Sequence, residues 1–363
     1  VNIMPIMKLR GGDLDLVEYD FRTYQPGENI RVPFPPISCE LRPFEGMIRV
    51  SAPSRIHLTV LDMNRFAPEH PGGGGLGFAI ALPTTVTARC IDGPDQIRYP
   101  REPVLRHFLA VFRAATGYRG GFSIEADQHA HPHVGLGSTS TVLIATGHAL
   151  NAAVGSPLSD DQIRMLIGHN YAEETATGEI AFGFETGVGP AASNYGGMVV
   201  MGDGLTLAFQ HPFAEGFRVF IIIPSSDISS AGTKEFDLLM NRARSLDYQD
   251  RELKAYLMLM DLIPALEAGD VRKIGDVIWE IEFRGSKRAE IEHHTFAIYT
   301  YMNRLREAGF EFVGMSSVGP SIAVITRRPR AELETVCASV GLEIAIETEV
   351  DNTGVLVDYL EDD

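Results

Sequence analysis

The chain has 363 residues, 45% of them hydrophobic and 22% charged, and 31 basic against 48 acidic side chains leave a net charge of −17. That length exceeds what one hydrophobic core usually serves, so two domains are expected. The acidity excludes extended polyanions, nucleic acid and anionic membrane, as partners, because these need clustered positive charge.

Residues 1–46 are polar and punctuated by Pro26, Pro33, Pro35, Pro36 and Pro43, an irregular or hairpin-like extension. Strand-like runs follow at Met47–Ala52, Ile56–Leu61, Gly77–Leu82 and Val86–Cys90. A helical pattern covers Pro103–Ala115, and Gly121–Ala126 alternates like a strand. The glycine-rich turn His133–Ser138 runs into a helix at Thr139–Ala153. Ser159–Thr177 reads as a helix capped by Ser159, with Asp160 and Asp161 in its first turn. Gly196–Phe209 reads as a hairpin around Asp203-Gly204.

After Pro212 the pattern restarts with a β-branched strand at Arg218–Ile223. Helices are expected at Lys234–Ser245, Arg251–Glu267, Val271–Arg284, Ile291–Ala308 and Ala331–Val340, and strands at Phe310–Met315, Ser321–Thr326 and Leu342–Glu347. The restart divides the chain into an extension (1–46) and two α+β domains (47–215 and 216–363).

Cys39, Cys90 and Cys337 are odd in number and far apart, which argues against a disulfide framework or a cysteine zinc site and suits a reducing cytoplasm. Val1 to Leu9 lacks the texture of a secretory signal, and the apolar runs are too short to cross a bilayer. A cytoplasmic protein is expected.

Four glycine-rich segments invite a ligand. Val134-Gly135-Leu136-Gly137-Ser138-Thr139-Ser140-Thr141 leads straight into a helix, whose first N–H groups point outward unpaired. Glycine lets the backbone approach an anion there, and four hydroxyls follow, so this is a phosphate cradle or a plain strand-to-helix turn. It is neither a Walker A loop nor a GxGxxG fingerprint. The others are Pro71–Gly77, Thr186–Pro190 and Gly314–Pro320. His129, His131 and His133 alternate, a pattern open to metal binding, anion contact or plain loop positions.

The order and flanks of these segments resemble the GHMP kinase superfamily: Pro53-Ser54-Arg55-Ile56-His57-Leu58, then Gly135-Leu136-Gly137-Ser138, then Gly314 to Pro320. The likeness covers most of residues 47–326 and implies a two-domain GHMP kinase-like α+β fold. Within the superfamily the chain resembles the β-ribofuranosylaminobenzene 5′-phosphate synthases, through Pro53–Thr59, Leu61-Asp62-Met63-Asn64, His133–Ser138 and Gly314–Pro320. That family joins phosphoribosyl pyrophosphate to an aromatic carboxylate, releasing pyrophosphate and CO₂ and leaving a C-riboside 5′-phosphate. A sister branch makes C-nucleosides such as formycin from a pyrazole dicarboxylate. Five lysines against 26 arginines lean toward that branch.

Two departures stand out. His131 replaces the usual proline four residues before Gly135, with Pro132 displaced by one. Glu185-Thr186-Gly187-Val188-Gly189 stands where the family has Arg-Ser-Gly-Ile-Gly, which leaves the acceptor open between a p-aminobenzoate and a pyrazole dicarboxylate type.

The resemblance implies Mg²⁺ as cofactor, phosphoribosyl pyrophosphate and an aromatic carboxylate as ligands, and a homodimer. Arg55, His57 and Asp62 would be catalytic, Val134 to Thr141 would hold phosphate or pyrophosphate, and Gly75, Gly187, Gly189, Ser316, Ser317 and Gly319 would contact substrate. Asp62 would also be the metal ligand. An ATP-dependent small-molecule kinase and a non-catalytic ligand-binding relative are the alternatives on the same fold.

Overall fold

The computed structural model describes residues 8–9, 17–18, 23–35, 37, 39–66, 70–129, 134–175, 177–225 and 238–361. Two long antiparallel strands, Gly46–Val60 and Gly75–Ile91, form its spine. Sequence reading splits each in two near a proline. Pro53 and Pro83 pair with each other at a shift of register, so their missing N–H groups fall on an irregularity and the strands run through.

The expected hairpin, Met198–Met201 with Leu207–His211, extends this sheet on one side. Gly121–Asp127 pairs with the far half of Gly75–Ile91 and, in parallel, with Gln96–Arg98. The other side is closed by Leu356–Glu361, a strand the sequence reading lacks. The last residues of 216–363 therefore return to the first sheet. A four-stranded antiparallel sheet carries the second half, in the order Phe312–Met315, Ile322–Thr326, Arg218–Ile222, Ile344–Thr348.

The helix Ser138–Ala153 is buried on every side, as its nearly unbroken run of small and apolar residues requires. It packs with Glu102–Thr116 and Asp160–His169 against Ile48, Val50 and Val86 of the first sheet. A second core joins the two halves: Ile56, Leu58, Leu76 and Phe78 from the long strands, with Leu136, meet Val219, Ile221, Ile278 and Phe312. The glycine-rich loops gather along this seam.

Four expected helices change. Ser159 does cap its helix, with Gln162 completing a capping box, but the helix ends at His169. The chain then forms a hairpin, Ala172–Glu174 with Ile180–Phe182. Helical backbone runs unbroken from Leu238 to Glu267, with π-type stretches at Leu239–Ala243 and Met258–Leu262, where two helices are expected. Ile291–Ala308 is instead the end of Gly285–His293 followed by Thr295–Glu307.

The extension is tied down from residue 23 onward. Thr23–Tyr24 adds a strand to the Ile180–Phe182 hairpin, and Ile30, Val32, Phe34, Leu41 and Phe44 pack against the first core. Cys39, Cys90 and Cys337 are free thiols. Among the described residues, no helix is long and apolar enough to cross a membrane.

Candidate active site

Alternation along Gly46–Val60 sends Ile56 and Leu58 into the second core and leaves Arg55 and His57 on the other face. Arg55 Nη1 donates to the Gly135 carbonyl at 2.7 Å, and its backbone N donates to the Leu136 carbonyl at 3.2 Å. Gly137 caps the following helix in the left-handed region, at φ +73°. A Cβ there would lie 2.7 Å from Arg55 Nε, so only glycine lets the guanidinium lie against the turn.

Within the first helical turn, Thr141 N is already bonded to the Gly137 carbonyl at 3.0 Å. The amides of Ser138, Thr139 and Ser140 are the ones a helix start leaves without an intrahelical acceptor. Val134 and Leu136 face inward, packing on the second core. Their part in the cradle is backbone only.

Carboxylates flank the hydroxyls of this turn. Thr139 Oγ1 donates to Glu173 Oε2 at 2.9 Å, and Ser140 Oγ donates to Glu185 Oε2 at 3.0 Å. Gly187 N donates to Glu185 Oε1 at 2.7 Å, and the Tyr171 hydroxyl donates to Glu173 Oε1 at 2.8 Å. Gly189 opens the next helix so near that a Cβ on it would stand 2.5 Å from Ser140 Oγ. Arg101 closes the group from the side, donating to Thr139 Oγ1 at 2.6 Å and to Gln128 Oε1 at 2.8 Å.

The late glycine turn arrives from the second sheet. Ser316 Oγ accepts from His57 N at 3.0 Å and donates to the Gly135 carbonyl at 2.6 Å, while Ser317 N donates to the His57 carbonyl at 2.7 Å. Ser321 Oγ donates to the Val134 carbonyl at 2.5 Å. Gly319, at φ +82°, lies against His294. The structure thus brings together Arg55, His57, Gly135 to Thr141, Gly187, Gly189 and Ser316 to Gly319. The Ser316 hydroxyl is spent within the protein, so it braces the loop rather than facing a ligand.

Two expected site residues are held in other ways. Gly75 is a sheet residue between Val60 and Met201, and a Cβ on it would stand 3.1 Å from Val188, the residue between Gly187 and Gly189. Asp62 caps the short turn Met63–Arg65: Oδ1 accepts from Asn64 N at 2.9 Å and from Asn64 Nδ2 at 2.8 Å. Its Oδ2 accepts from Arg251 Nη1 at 3.0 Å. With both oxygens engaged, Asp62 is a cap and ion-pair partner. Other hard oxygen donors of the kind Mg²⁺ takes lie at the glycine loop, where Ser140 and Glu185 meet beside Thr139 and Glu173. These carboxylates are engaged too, but partly by hydroxyls that a cation could displace, and among the described residues no three His, Cys, Asp or Glu side chains cluster as a metal site. His131 and His133 lie outside the described residues.

Burial governs the charges here. It lowers the His57 pKa well below the usual histidine range, with Arg55 and Lys287 adding to the effect, so this imidazole is neutral. Burial raises Glu185 despite hydrogen bonds from Gly187 and Ser140 and the nearby charge of Arg55. A buried carboxylate of this kind gains from a cation beside it. Burial, then the charges of Glu173 and Glu185, raise Tyr171.

Sequence reading missed Glu173, Tyr171 and Arg101. The first two lay inside a helix expected to continue to Thr177, and Arg101 reaches Thr139 only through the tertiary fold.

Comparison with known proteins bears on the fold. The GHMP kinases N terminal domain family matches residues 103–185, which include the loop and Glu173 and Glu185. Homoserine kinase from Cytophaga hutchinsonii superposes with a TM-score of 0.60 at 16% identity, covering 88% of this chain and all of that one. Mevalonate diphosphate decarboxylase from Staphylococcus aureus gives 0.62 at 14% identity, covering 86% and 98%. The chain has the two-domain GHMP kinase fold.

It is also a relative of proteins named β-ribofuranosylphenol 5′-phosphate synthase. The one from Archaeoglobus fulgidus is 27% identical over 305 residues, 77% of this chain and 88% of that protein. The one from Methanocaldococcus jannaschii is 24% identical over 310 residues, 75% and 88%.

Proposed function

We propose that the chain is a decarboxylating C-glycoside synthase, joining phosphoribosyl pyrophosphate to an aromatic carboxylate. The observation that carries this reading is the Gly135–Thr141 cradle with Arg55 laid against Gly137, in a chain related to synthases of a riboside 5′-phosphate. An N-terminal helix turn and a fixed guanidinium suit a polyanionic leaving group.

In the reaction, the ribose C1–oxygen bond breaks and its electron pair leaves with pyrophosphate. The acceptor carbon that bears the carboxylate forms the new bond to C1. Its bond to the carboxylate then breaks, the electrons return to the ring, and CO₂ departs. No proton need be taken from that carbon, which accords with a neutral, buried His57 and with carboxylates already engaged by hydroxyl and amide donors. Ser140 and Glu185, with Thr139 and Glu173 alongside, would hold Mg²⁺, which when bound neutralises charge on the departing pyrophosphate. Arg55 would hold phosphate or the acceptor carboxylate at the same seam.

Heteroaromatic acceptors of the pyrazole dicarboxylate type are part of the proposal. The arginine-rich composition leans toward them, and Glu185, standing where the family has arginine, leaves p-aminobenzoate open beside them. A cytoplasmic homodimer is part of the proposal, by the resemblance and the free cysteines, and the net charge of −17 fits small-molecule substrates rather than nucleic acid or anionic membrane.

The test is incubation with phosphoribosyl pyrophosphate, Mg²⁺ and a panel of aromatic acids, beside ATP with candidate alcohols. Pyrophosphate release that requires an acceptor supports the proposal. ADP formation identifies a kinase instead, and binding without turnover across the panel identifies a ligand-binding relative.

A further inference from the structure

Behind the Gly314–Pro320 turn, a buried ion pair does what an apolar side chain could not. Lys287, on the helix Gly285–His293, has no exposed surface. Its Nζ donates to the Ser317 carbonyl at 2.8 Å and the Met315 carbonyl at 3.2 Å, and pairs with Glu290 Oε2 at 2.6 Å. Of the three donors of an ammonium, two go to these carbonyls, and Glu290 balances the charge as an ion pair. Burying such a pair is costly, and apolar residues of similar volume often serve packing as well. What the ammonium adds is a fixed direction for two backbone carbonyls.

Those carbonyls belong to a strained turn. Ser317 is a non-glycine residue at φ +52°. Its N–H is held by the His57 carbonyl and its C=O by Lys287. Glu282 Oε1 accepts from Met315 N at 2.7 Å and fixes the residue on the other side. Ser316, between them, is thereby set to bridge His57 N and the Gly135 carbonyl, and Gly135 also accepts from Arg55.

We infer that Lys287 is a positioning residue for the phosphate loop, acting through the Ser316 hydroxyl. The inference rests on the reading of Gly135–Thr141 as the phosphoribosyl pyrophosphate cradle. Contacts run from Lys287 to Met315 and Ser317, through Ser316 to Gly135, and so to Arg55.

A double-mutant cycle with Lys287→Met and Ser316→Ala tests it. Each single change should raise KM for phosphoribosyl pyrophosphate about tenfold, with the acceptor KM held within about twofold, and the double variant should be no worse than the poorer single. Additive losses, or an unchanged KM with only a lower melting temperature, overturn the inference. Hydrogen exchange across residues 134–141, measured without substrate, should quicken in both variants, and unchanged exchange overturns it as well. Wild-type protein that binds no phosphoribosyl pyrophosphate with Mg²⁺ would overturn the cradle reading, while the exchange data still decide the clamp. If Lys287→Met does not fold, the Ser316→Ala arm stands alone, and unchanged KM and exchange there sink the inference.

Discussion

Gly137 lies so close to the Arg55 side chain that a Cβ on it would stand 2.7 Å from Nε. Gly117 provides the contrast: it has nearly the same φ, +75° against +73°, but nothing within 4 Å of where its Cβ would be. Alanine in the left-handed region costs about 1–2 kcal/mol at either position. Gly137→Ala should in addition weaken phosphoribosyl pyrophosphate binding by about tenfold or more by displacing Arg55. Calorimetry on both variants checks this, and equal affinities would separate the Gly137 contact from ligand binding.

Glu185→Gln keeps the shape of the side chain and an oxygen for Gly187 N, but removes the charge. The Mg²⁺ concentration for half-maximal activity should rise by about tenfold. Burial raises the Glu185 pKa, so wild-type activity should fall on the acid side as this carboxylate takes up a proton. That acid limb should flatten in the variant. An unaltered Mg²⁺ requirement would move the ion away from Ser140 and Glu185.

Asp62 makes a stability prediction. Burial works to raise its pKa, but the Asn64 hydrogen bonds and Arg251 outweigh it and leave the pKa below the usual carboxylate value. A depressed pKa contributes stability that is present at neutral pH and lost as pH falls through the folded value. Asp62→Ala should cost about 1–3 kcal/mol at neutral pH, and the gap should narrow on acidification. Chemical denaturation at several pH values measures it.

Glu282 behaves in the opposite sense. Burial pushes its carboxyl up to about 8, against the pull of Lys287 and the Met315 amide. The folded state therefore holds a proton that the unfolded chain gives up, and stability falls as pH rises from the ordinary glutamate range through about 8. Glu282→Gln should remove that decline. Parallel melting curves for the two proteins across this range would rule the assignment out.

Much of the site was legible because glycine marks backbone geometry that few other residues tolerate. The Gly135–Thr141 loop, the Gly187–Gly189 turn and the Gly314–Pro320 turn all meet at the seam between the two sheets. What stayed hidden depends on tertiary contact. Arg101 lies 38 positions from Thr139 and meets it only in the fold. Glu173 was masked by a helical pattern that in the fold ends at His169, and the pairing of Asp62 with Arg251, 189 positions away, has no local signal. The strand Leu356–Glu361 had its signal in Leu356-Val357-Asp358-Tyr359-Leu360, but its partner lies at the opposite end of the chain.

The central claim is that one carbon–carbon bond forms as one carboxylate is lost. The direct measurement supplies phosphoribosyl pyrophosphate, Mg²⁺ and a panel of aromatic acids labelled with ¹³C in the carboxyl group, and follows the label and pyrophosphate together. The account predicts labelled CO₂ and pyrophosphate in equal amounts, with a riboside 5′-phosphate that has lost one labelled carboxylate and whose C1 is bonded to ring carbon. Label retained in a product joined through oxygen or nitrogen, or ADP formed from ATP with every acid unchanged, would contradict it.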